Sequence, residues 1–259
     1  MAKKFLGIDI GAVSAKAVIV HGSSSVARAM RDTGSSVARV ADEMMKQVLA
    51  AAGISAGALD GVIATGYGRT AVGFADKKVT EITCHARGVC HLIPEVRTVI
   101  DIGGQDSKAM RIDEEGRVTD FVMNDKCAAG TGRFLEVMAR ALEVPLDELG
   151  ALSRAGRHPC SISSLCTVFA ESEVVFLRGE GRARENIAAG IHRAIASRVA
   201  AMVSQMGLEE TVVLTGGVAR NGGVVRALCD ELKLDVRVPD YPQLTGALGA
   251  ALIAAELSG

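Results

Sequence analysis

The chain has 259 residues and a formal net charge of −1, from 29 lysines and arginines against 30 aspartates and glutamates. Apolar residues make up 49% of it, which allows a buried core and indicates one or two compact domains. The balanced charge and the 3% aromatic content exclude a strongly basic nucleic-acid binder and a polybasic membrane anchor. No apolar run of about eighteen residues occurs, so we expect no membrane span and no signal peptide, and we place the protein in the cytoplasm.

Glycine turns and β-branched runs alternate with helical patterns along the chain, which predicts an α/β fold. In the first part we predict a strand–turn–strand unit over 4–20, a helix over 37–52, a strand over 61–65 and a helix over 81–92. In the second part we predict a strand–turn–strand unit over 98–112, helices over 132–142, 167–177 and 185–206, a strand over 211–214 and a helix over 244–257.

An internal repeat indicates that the chain is a duplication. Asp9-Ile-Gly is followed by Lys16-Ala, and the same residues recur 92 positions later as Asp101-Ile-Gly followed by Lys108-Ala. Each copy lies between two predicted strands, although a chance similarity of two short strands is the alternative. We therefore predict two duplicated domains: residues 1–95 together with the C-terminal helix 245–259, and residues 96–244.

Each copy of the repeat contains a glycine turn after a strand, and the N–H groups of such a turn can bind phosphate oxygens. The carboxylates of Asp9 and Asp101 suit a hydrated Mg²⁺ better than direct phosphate contact, because like charges repel. A third turn, Thr215-Gly-Gly, follows a strand and could approach a ribose or an adenine; alone it would more often be a simple turn. Neither copy matches the P-loop or GxGxxG patterns, which disfavours both of those folds.

Together these turns resemble the phosphate-1, phosphate-2 and adenosine motifs of the actin-like ATPase superfamily, whose fold is ribonuclease H-like. The resemblance implies a nucleotide cleft between the two domains, in which Asp9 and Asp101 organise Mg²⁺ and water. Gln105 would orient the attacking water, since an amide can position it without taking its proton. The residues expected to bind ATP or ADP are Gly11, Ala12, Val13, Ser14, Ala15, Lys16, Gly103, Gly104, Gln105, Gly216, Gly217 and Gln243.

The six cysteines contain no CxxC pair, which leaves free thiols, metal ligands or redox groups as their roles. Cys127 and Cys166 each lie just before a predicted helix, the first of which has Thr131 as its expected N-cap. A helix N-terminus stabilises a thiolate or a negatively charged cluster. Two reduced structural cysteines remain the alternative. The other four are predicted to be packing residues, with Cys160 on a strand and Cys229 within a helix.

Five longer segments are more specific: IDIGGQDSK (100–108), MNDKCAAGTGRFLEVMA (123–139), CTVFAESEV (166–174), AGIHRAIASRV (189–199) and TGGVARN (215–221). They resemble the activator component of 2-hydroxyacyl-CoA dehydratases and, equally, the related ATPase subunits of benzoyl-CoA reductase. The first loop departs from the usual pattern, because Ala12 and Val13 stand where relatives more often carry hydroxyl residues. Ser14 and Lys16 are left as its polar phosphate ligands.

This resemblance implies a homodimer that holds one 4Fe–4S cluster through Cys127 and Cys166 of both subunits. ATP hydrolysis would drive a single low-potential electron into the dehydratase, with a ferredoxin or flavodoxin as the electron donor. A paralogous heterodimer stays open. Two rival functions on the same fold are a small-molecule kinase and a non-catalytic assembly protein, but neither gives the two cysteines a role.

Overall fold

The computed structural model describes residues 3–163 and 166–258. The chain forms two compact units. The first contains Met1–Val99, Ile112–Thr119 and Pro239–Gly259, and the second contains Ile100–Arg111 and Asp120–Val238. The domain bounds proposed from the sequence, 1–95 with 245–259 and 96–244, remain a prediction. The first compact unit also includes residues 96–99, 112–119 and 239–244.

The first sheet has five strands in the order β3-β2-β1-β4-β5. Its strands are β1 (Lys4–Ile10), β2 (Ser14–His21), β3 (Ser24–Asp32), β4 (Gly61–Thr65) and β5 (Lys77–Lys78). Strand β2 pairs antiparallel with both β1 and β3, whereas β4 lies parallel to β1. The predicted strand–turn–strand unit is confirmed. Strand β3 has no clear sequence signal, because Ala27 and Ala29 are its only two buried residues and neither is typical of strands.

Three helices accompany this sheet: α1 (Val37–Ala52), α2 (Glu81–Leu92) and α8 (Thr245–Leu257). Helix α8 is buried on nearly all sides, which is why its Ala- and Gly-rich sequence shows no polar stripe. Glycines allow α2 and α8 to approach closely. A Cβ added at Gly249 would overlap the carbonyl oxygen of Cys84, and a Cβ added at Gly88 would overlap that of Thr245.

The second sheet also has five strands, in the order β10-β9-β6-β7-β8. Its strands are β6 (Thr98–Ile102), β7 (Ser107–Ile112), β8 (Val118–Asn124), β9 (Val212–Thr215) and β10 (Val236–Arg237). The helices are α3 (Gly132–Leu142), α4 (Leu149–Ala155), α5 (Thr167–Gly179), α6 (Arg184–Met206) and α7 (Gly222–Leu232). Helix α6 packs Ile191, Ile195 and Val199 into the core of the second unit. The predicted helices of this region are confirmed to within two residues at each end.

Two local predictions need correction. Cys160 is not on a strand; it lies in an irregular segment after α4, and its N–H donates to the carbonyl of Asn186 (2.9 Å). Thr131 occupies the N-cap position of α3, but its hydroxyl donates to the carbonyl of Ala128 (2.7 Å) instead of accepting from the helix. Within the described part of the chain, no helix has the length and apolar character needed to cross a membrane.

The close approach of α2 and α8 gives a stability prediction. Gly249→Ala should lower the free energy of unfolding by about 2–3 kcal/mol, because the new methyl group overlaps the backbone of Cys84. This steric cost should exceed the gain of about 1 kcal/mol that alanine otherwise brings to a helix. Urea unfolding measures the change.

Gly57→Ala is the matched control, because a Cβ at Gly57 meets no atom within 4 Å. Its free energy of unfolding should stay within about 0.5 kcal/mol of the wild-type value. Equal stabilities for the Gly249→Ala protein and the control would contradict the close packing of α8.

Candidate nucleotide and cluster sites

The first candidate phosphate loop is the turn from β1 to β2. Asp9 stands near the end of β1 opposite Lys16, and its Oδ2 lies 3.2 Å from Lys16 Nζ. The Asp9 residue is 3% exposed, so this ion pair neutralises an almost completely buried carboxylate. Within the turn, the N–H of Gly11 donates to the carbonyl of Ser14 (3.0 Å), and the Thr33 hydroxyl donates to the carbonyl of Gly11 (2.7 Å).

The turn from β6 to β7 repeats this geometry in the second unit. Lys108 Nζ lies 3.5 Å from Asp101 Oδ2 and 2.9 Å from Asp106 Oδ2. The N–H of Gly103 donates to the carbonyl of Asp106 (2.9 Å), as Gly11 does to Ser14. The Thr215 hydroxyl donates to Asp101 Oδ1 (2.8 Å), so both oxygens of this carboxylate have partners. The sequence repeat therefore corresponds to a repeated turn with a repeated ion pair.

These hydrogen bonds restrict which groups of each turn can meet a phosphate. The N–H groups of Gly11 and Gly103 are already used within the turns. Ala12 and Val13 are exposed in the first turn, and Gln105 is exposed in the second. The methyl group of Ala15, in contrast, is buried in the apolar core, which leaves its side chain no role in ligand binding.

The remaining predicted nucleotide ligands lie on loops or at the ends of strands and helices. Gly217 is exposed after β9, Gly104 is half-buried beside Gln105, and Gln243 is half-buried in the turn that precedes α8. Ser14 begins β2 and is likewise half-buried. Their positions are established, whereas their roles in nucleotide binding stay predictions.

Gly66, which the sequence analysis did not identify as a site residue, lies beside the first turn. Gly66 has φ +84° and follows β4, as Gly216, with φ +86°, follows β9. A Cβ at Gly66 would crowd Asp9, and a Cβ at Gly216 would crowd Asp101. Both positions need glycine, because the backbone is left-handed and the space is filled. The available signal was the Thr-Gly pair that ends each of these buried strands.

Cys127 lies in the loop between β8 and α3, which Asn124 holds in place. The Asn124 amide donates to the carbonyls of Cys127 (2.8 Å) and Ala129 (3.0 Å), and its oxygen accepts from the Cys127 N–H (3.2 Å). Arg198 Nη2 donates to Cys127 Sγ at 3.6 Å. This contact places a positive charge beside the sulfur, where it would stabilise a thiolate.

Cys166 is the N-cap residue of α5 and is exposed. The two residues before it, 164 and 165, lie outside the described residues. The helix that it begins carries exposed apolar side chains at Val168, Phe169, Val175 and Phe176. Across residues 3–163 and 166–258, no group of three or more His, Cys, Asp or Glu side chains could hold a metal ion. The role of Cys127 and Cys166 as cluster ligands stays a prediction.

The second turn is bonded directly to the start of α3. The N–H of Gly132 donates to the carbonyl of Gly103, and the N–H of Arg133 donates to that of Gly104, both at 2.8 Å. These bonds satisfy two of the donors that a helix N-terminus otherwise leaves free. Since Cys127 lies on the loop that leads into α3, a displacement of the second turn would reach the cysteine loop through this helix start.

The remaining cysteines show the packing roles predicted for them. Cys84 is buried between α2 and α8, and burial raises the pKa of its thiol to about 12. The neighbouring His85 hydrogen-bonds to the Thr245 hydroxyl at 2.9 Å. Cys90 packs against Gly116, and Cys229 lies within α7.

Comparison with known proteins decides the family. The model of the BadF/BadG/BcrA/BcrD ATPase family matches residues 6–254. The chain belongs to this family of ATPases. The activator of lactoyl-CoA dehydratase from Anaerotignum propionicum is 50% identical over 254 residues, which is 97% of each chain. Family membership, predicted from the five sequence segments, is thereby confirmed.

Two solved structures show the same architecture. The activator of 2-hydroxyisocaproyl-CoA dehydratase from Clostridium difficile with bound ADPNP has a TM-score of 0.93 at 47% identity, covering 98% of this chain and 95% of that one. Component A of (R)-2-hydroxyglutaryl-CoA dehydratase from Acidaminococcus fermentans has a TM-score of 0.96 at 43% identity and covers 99% of both chains.

More distant proteins separate fold from function. A ROK family glucokinase from Streptomyces griseus has a TM-score of 0.61 at 14% identity, covering 98% of this chain and 99% of its own. That likeness concerns the fold alone, and the predicted actin-like α/β fold is confirmed.

A benzoyl-CoA reductase subunit from Thauera aromatica is 37% identical over 257 residues, which is 95% of this chain and 91% of that one.

The contrast between Cys84 and Cys166 gives a reactivity prediction. At pH 8, iodoacetamide should modify Cys166 in the iron-free protein and leave Cys84 unmodified, because the raised pKa keeps the buried thiol protonated. Alkylation followed by peptide mass mapping measures both sites in one sample. Equal modification of the two cysteines in the folded protein would contradict the placement of Cys84 in the core. A sample unfolded in urea, where both should react, is the control.

Proposed function

We propose that this protein is the ATP-dependent activator of a 2-hydroxyacyl-CoA dehydratase. One observation carries the proposal: the turn that repeats the first phosphate loop is hydrogen-bonded to the helix start next to Cys127. ATP chemistry at this turn and electron chemistry at the cysteine are therefore linked within one unit. Relatives named as dehydratase activators support the same function at 43–50% identity.

We propose that each turn offers N–H groups to the phosphates of ATP, namely those that follow Gly11 in the first turn and Gly103 in the second. Asp9 and Asp101 would act on a hydrated Mg²⁺ through its water ligands, because their lysine partners already neutralise them. Gln105 is exposed on the second turn and would orient the attacking water. Neither aspartate needs to break its ion pair in this arrangement.

The thiol pair of each chain fits a 4Fe–4S cluster shared by two chains. Such a cluster takes four thiolate ligands, and one chain offers Cys127 and Cys166. A two-fold axis through the cluster would bring both cysteines of each protomer together in a homodimer. The exposed apolar residues of α5 next to Cys166 would then be covered.

Once bound, the cluster would supply single low-potential electrons. Asn124 would hold the Cys127 loop, and Arg198 would place its positive charge beside the Cys127 sulfur. Its electrons would come from a cytoplasmic donor of the ferredoxin or flavodoxin kind and pass to the partner dehydratase.

Two rival functions are weaker. An ATPase subunit of a benzoyl-CoA-reductase-type enzyme shares the family, but the Thauera aromatica protein is 37% identical whereas the lactoyl-CoA dehydratase activator is 50% identical. A small-molecule kinase shares the fold at 14% identity and leaves Cys127 and Cys166 without a function. Three parallel anaerobic assays separate the activator, the reductase subunit and the kinase. They measure activation of a purified dehydratase, reduction of benzoyl-CoA and phosphoryl transfer to a small molecule.

The cluster assignment predicts which cysteines are required. Cys127→Ser and Cys166→Ser should each remove the cluster, because a serine hydroxyl is a much poorer ligand for cluster iron than a cysteine thiolate. Iron analysis and visible spectra of anaerobically purified protein measure the loss. The wild-type protein should hold about two irons per chain, since two chains share one four-iron cluster.

Cys84→Ser and Cys160→Ser are the matched controls and should keep the full iron content. Cys84 is packed between helices and Cys160 lies in the irregular segment after α4. A complete cluster in the Cys166→Ser protein, or four irons on a stable monomer, would overturn the assignment.

The ATPase assignment makes a separate prediction. Asp101→Asn and Gln105→Ala should each lower ATP turnover by about tenfold or more, because they remove the groups proposed to organise water at the phosphates. Iron content should stay unchanged, because neither substitution removes a proposed cluster ligand or the backbone bonds that join the turn to α3. Phosphate release under anaerobic conditions measures the rate.

Asp42→Asn and Gln47→Ala, both at exposed positions on α1, are the matched controls and should turn over ATP at the wild-type rate. Wild-type turnover in Asp101→Asn and Gln105→Ala would mean that the repeated turns are structural only.

A further inference from the structure

The two copies of the repeated turn differ in one charged side chain. Five positions after Asp9 the first turn has Ser14, whereas five positions after Asp101 the second turn has Asp106. A serine hydroxyl can donate a hydrogen bond to a phosphate oxygen. A carboxylate at the same place repels phosphate, because like charges repel. The duplicated turns are therefore unequal in the chemistry that they offer to a nucleotide.

The charged group nearest to the turn glycine has opposite signs in the two copies. A Cβ added at Gly11 would lie 3.2 Å from the ammonium nitrogen of Lys16. A Cβ added at the equivalent Gly103 would lie 2.6 Å from Oδ1 of Asp106. An ammonium group therefore stands beside the first turn and a carboxylate beside the second. The first arrangement attracts phosphate oxygens, and the second attracts a cation.

The ion pairs leave the second turn with a surplus of negative charge. In the first turn, Lys16 pairs with Asp9, so one ammonium neutralises one carboxylate. In the second turn, the side chain of Lys108 is only 2% exposed and pairs with both Asp101 and Asp106. Two carboxylates share one ammonium there, which leaves one negative charge uncompensated. Charges that are removed from water are generally paired or bound to a metal ion.

Asp106 is the carboxylate of this turn that a ligand can reach. Its side chain is 31% exposed, whereas that of Asp101 is 5% exposed. Oδ2 of Asp106 contacts Lys108 at 2.9 Å, and within residues 3–163 and 166–258 its Oδ1 has no hydrogen-bond donor. Mg²⁺ usually keeps several water ligands and is held by one or two carboxylates together with substrate phosphates. An accessible carboxylate oxygen on a turn with surplus negative charge fits that requirement.

We propose that Asp106 is a metal-facing residue of the ATP site, whose Oδ1 accepts hydrogen bonds from the water ligands of the Mg²⁺ that accompanies ATP. The first turn, with Ser14 and the ammonium of Lys16, receives phosphate oxygens instead. This inference rests on the ATP function proposed above and divides that function between the two turns. Mg²⁺ supplies the positive charge that the second turn lacks.

Isothermal titration with a non-hydrolysable ATP analogue tests the proposal on the complete protein, purified anaerobically with its cluster. Each protein is titrated once with excess EDTA and once with excess Mg²⁺. Mg²⁺ should tighten binding to the wild-type protein by about tenfold or more, which corresponds to about 1.4 kcal/mol. Asp106→Asn should lose most of this gain and keep its affinity in EDTA, because the amide retains the size of the side chain but not its charge. Asp106→Ser, which copies the first turn, should behave in the same way and decides the question if the asparagine variant unfolds.

Two further variants separate the roles of the turns. Ser14→Ala should weaken binding by a similar factor with EDTA and with Mg²⁺, because it removes a phosphate ligand. Asp42→Asn, at an exposed position on α1, should match the wild-type protein in both titrations. A full Mg²⁺ gain in both Asp106 variants, or an equal loss of the gain in Ser14→Ala, would overturn this inference and leave the proposed function standing. No binding of the analogue to the wild-type protein would overturn both.

Discussion

Two backbone hydrogen bonds, from Gly132 to Gly103 and from Arg133 to Gly104, join the second phosphate turn to the start of α3. Gly132 stands so close to this turn that an added Cβ would lie 3.2 Å from the carbonyl oxygen of Gly103. The turn therefore cannot shift without moving the helix start or losing the bonds that cap it. The loop that holds Cys127 leads into the same helix start, so a nucleotide bound at this turn, as proposed, would act on the cysteine loop through a single helix start.

Buried ion pairs hold the two turns in their shape. Removing one partner from such a pair typically costs about 3–5 kcal/mol, because an uncompensated charge stays buried. The pairs Asp9–Lys16 and Asp101–Lys108 thus fix the turn geometry before any nucleotide binds. Preorganised N–H groups and charges of this kind are the usual means by which enzymes stabilise phosphoryl transfer.

The sequence predicted the parts of this structure that depend on local pattern. Strand alternation and the Asp…Lys repeat identified both turns, and helix periodicity identified α1, α2, α3 and α6. It could not predict that Gly66 stands beside Asp9, because that contact joins strands distant in the chain. Likewise, the Thr131 hydroxyl turns to Ala128 because tertiary partners, the carbonyls of Gly103 and Gly104, already cap α3.

The most direct test of the link between nucleotide and cluster is the rate at which a chelator removes iron from the anaerobic protein. The rate is compared with ADP bound and with a non-hydrolysable ATP analogue bound. If the second turn acts on the Cys127 loop through α3, the two nucleotides should give clearly different rates of iron removal. Identical rates, with both nucleotides shown to be bound and the cluster intact at the start, would contradict that link.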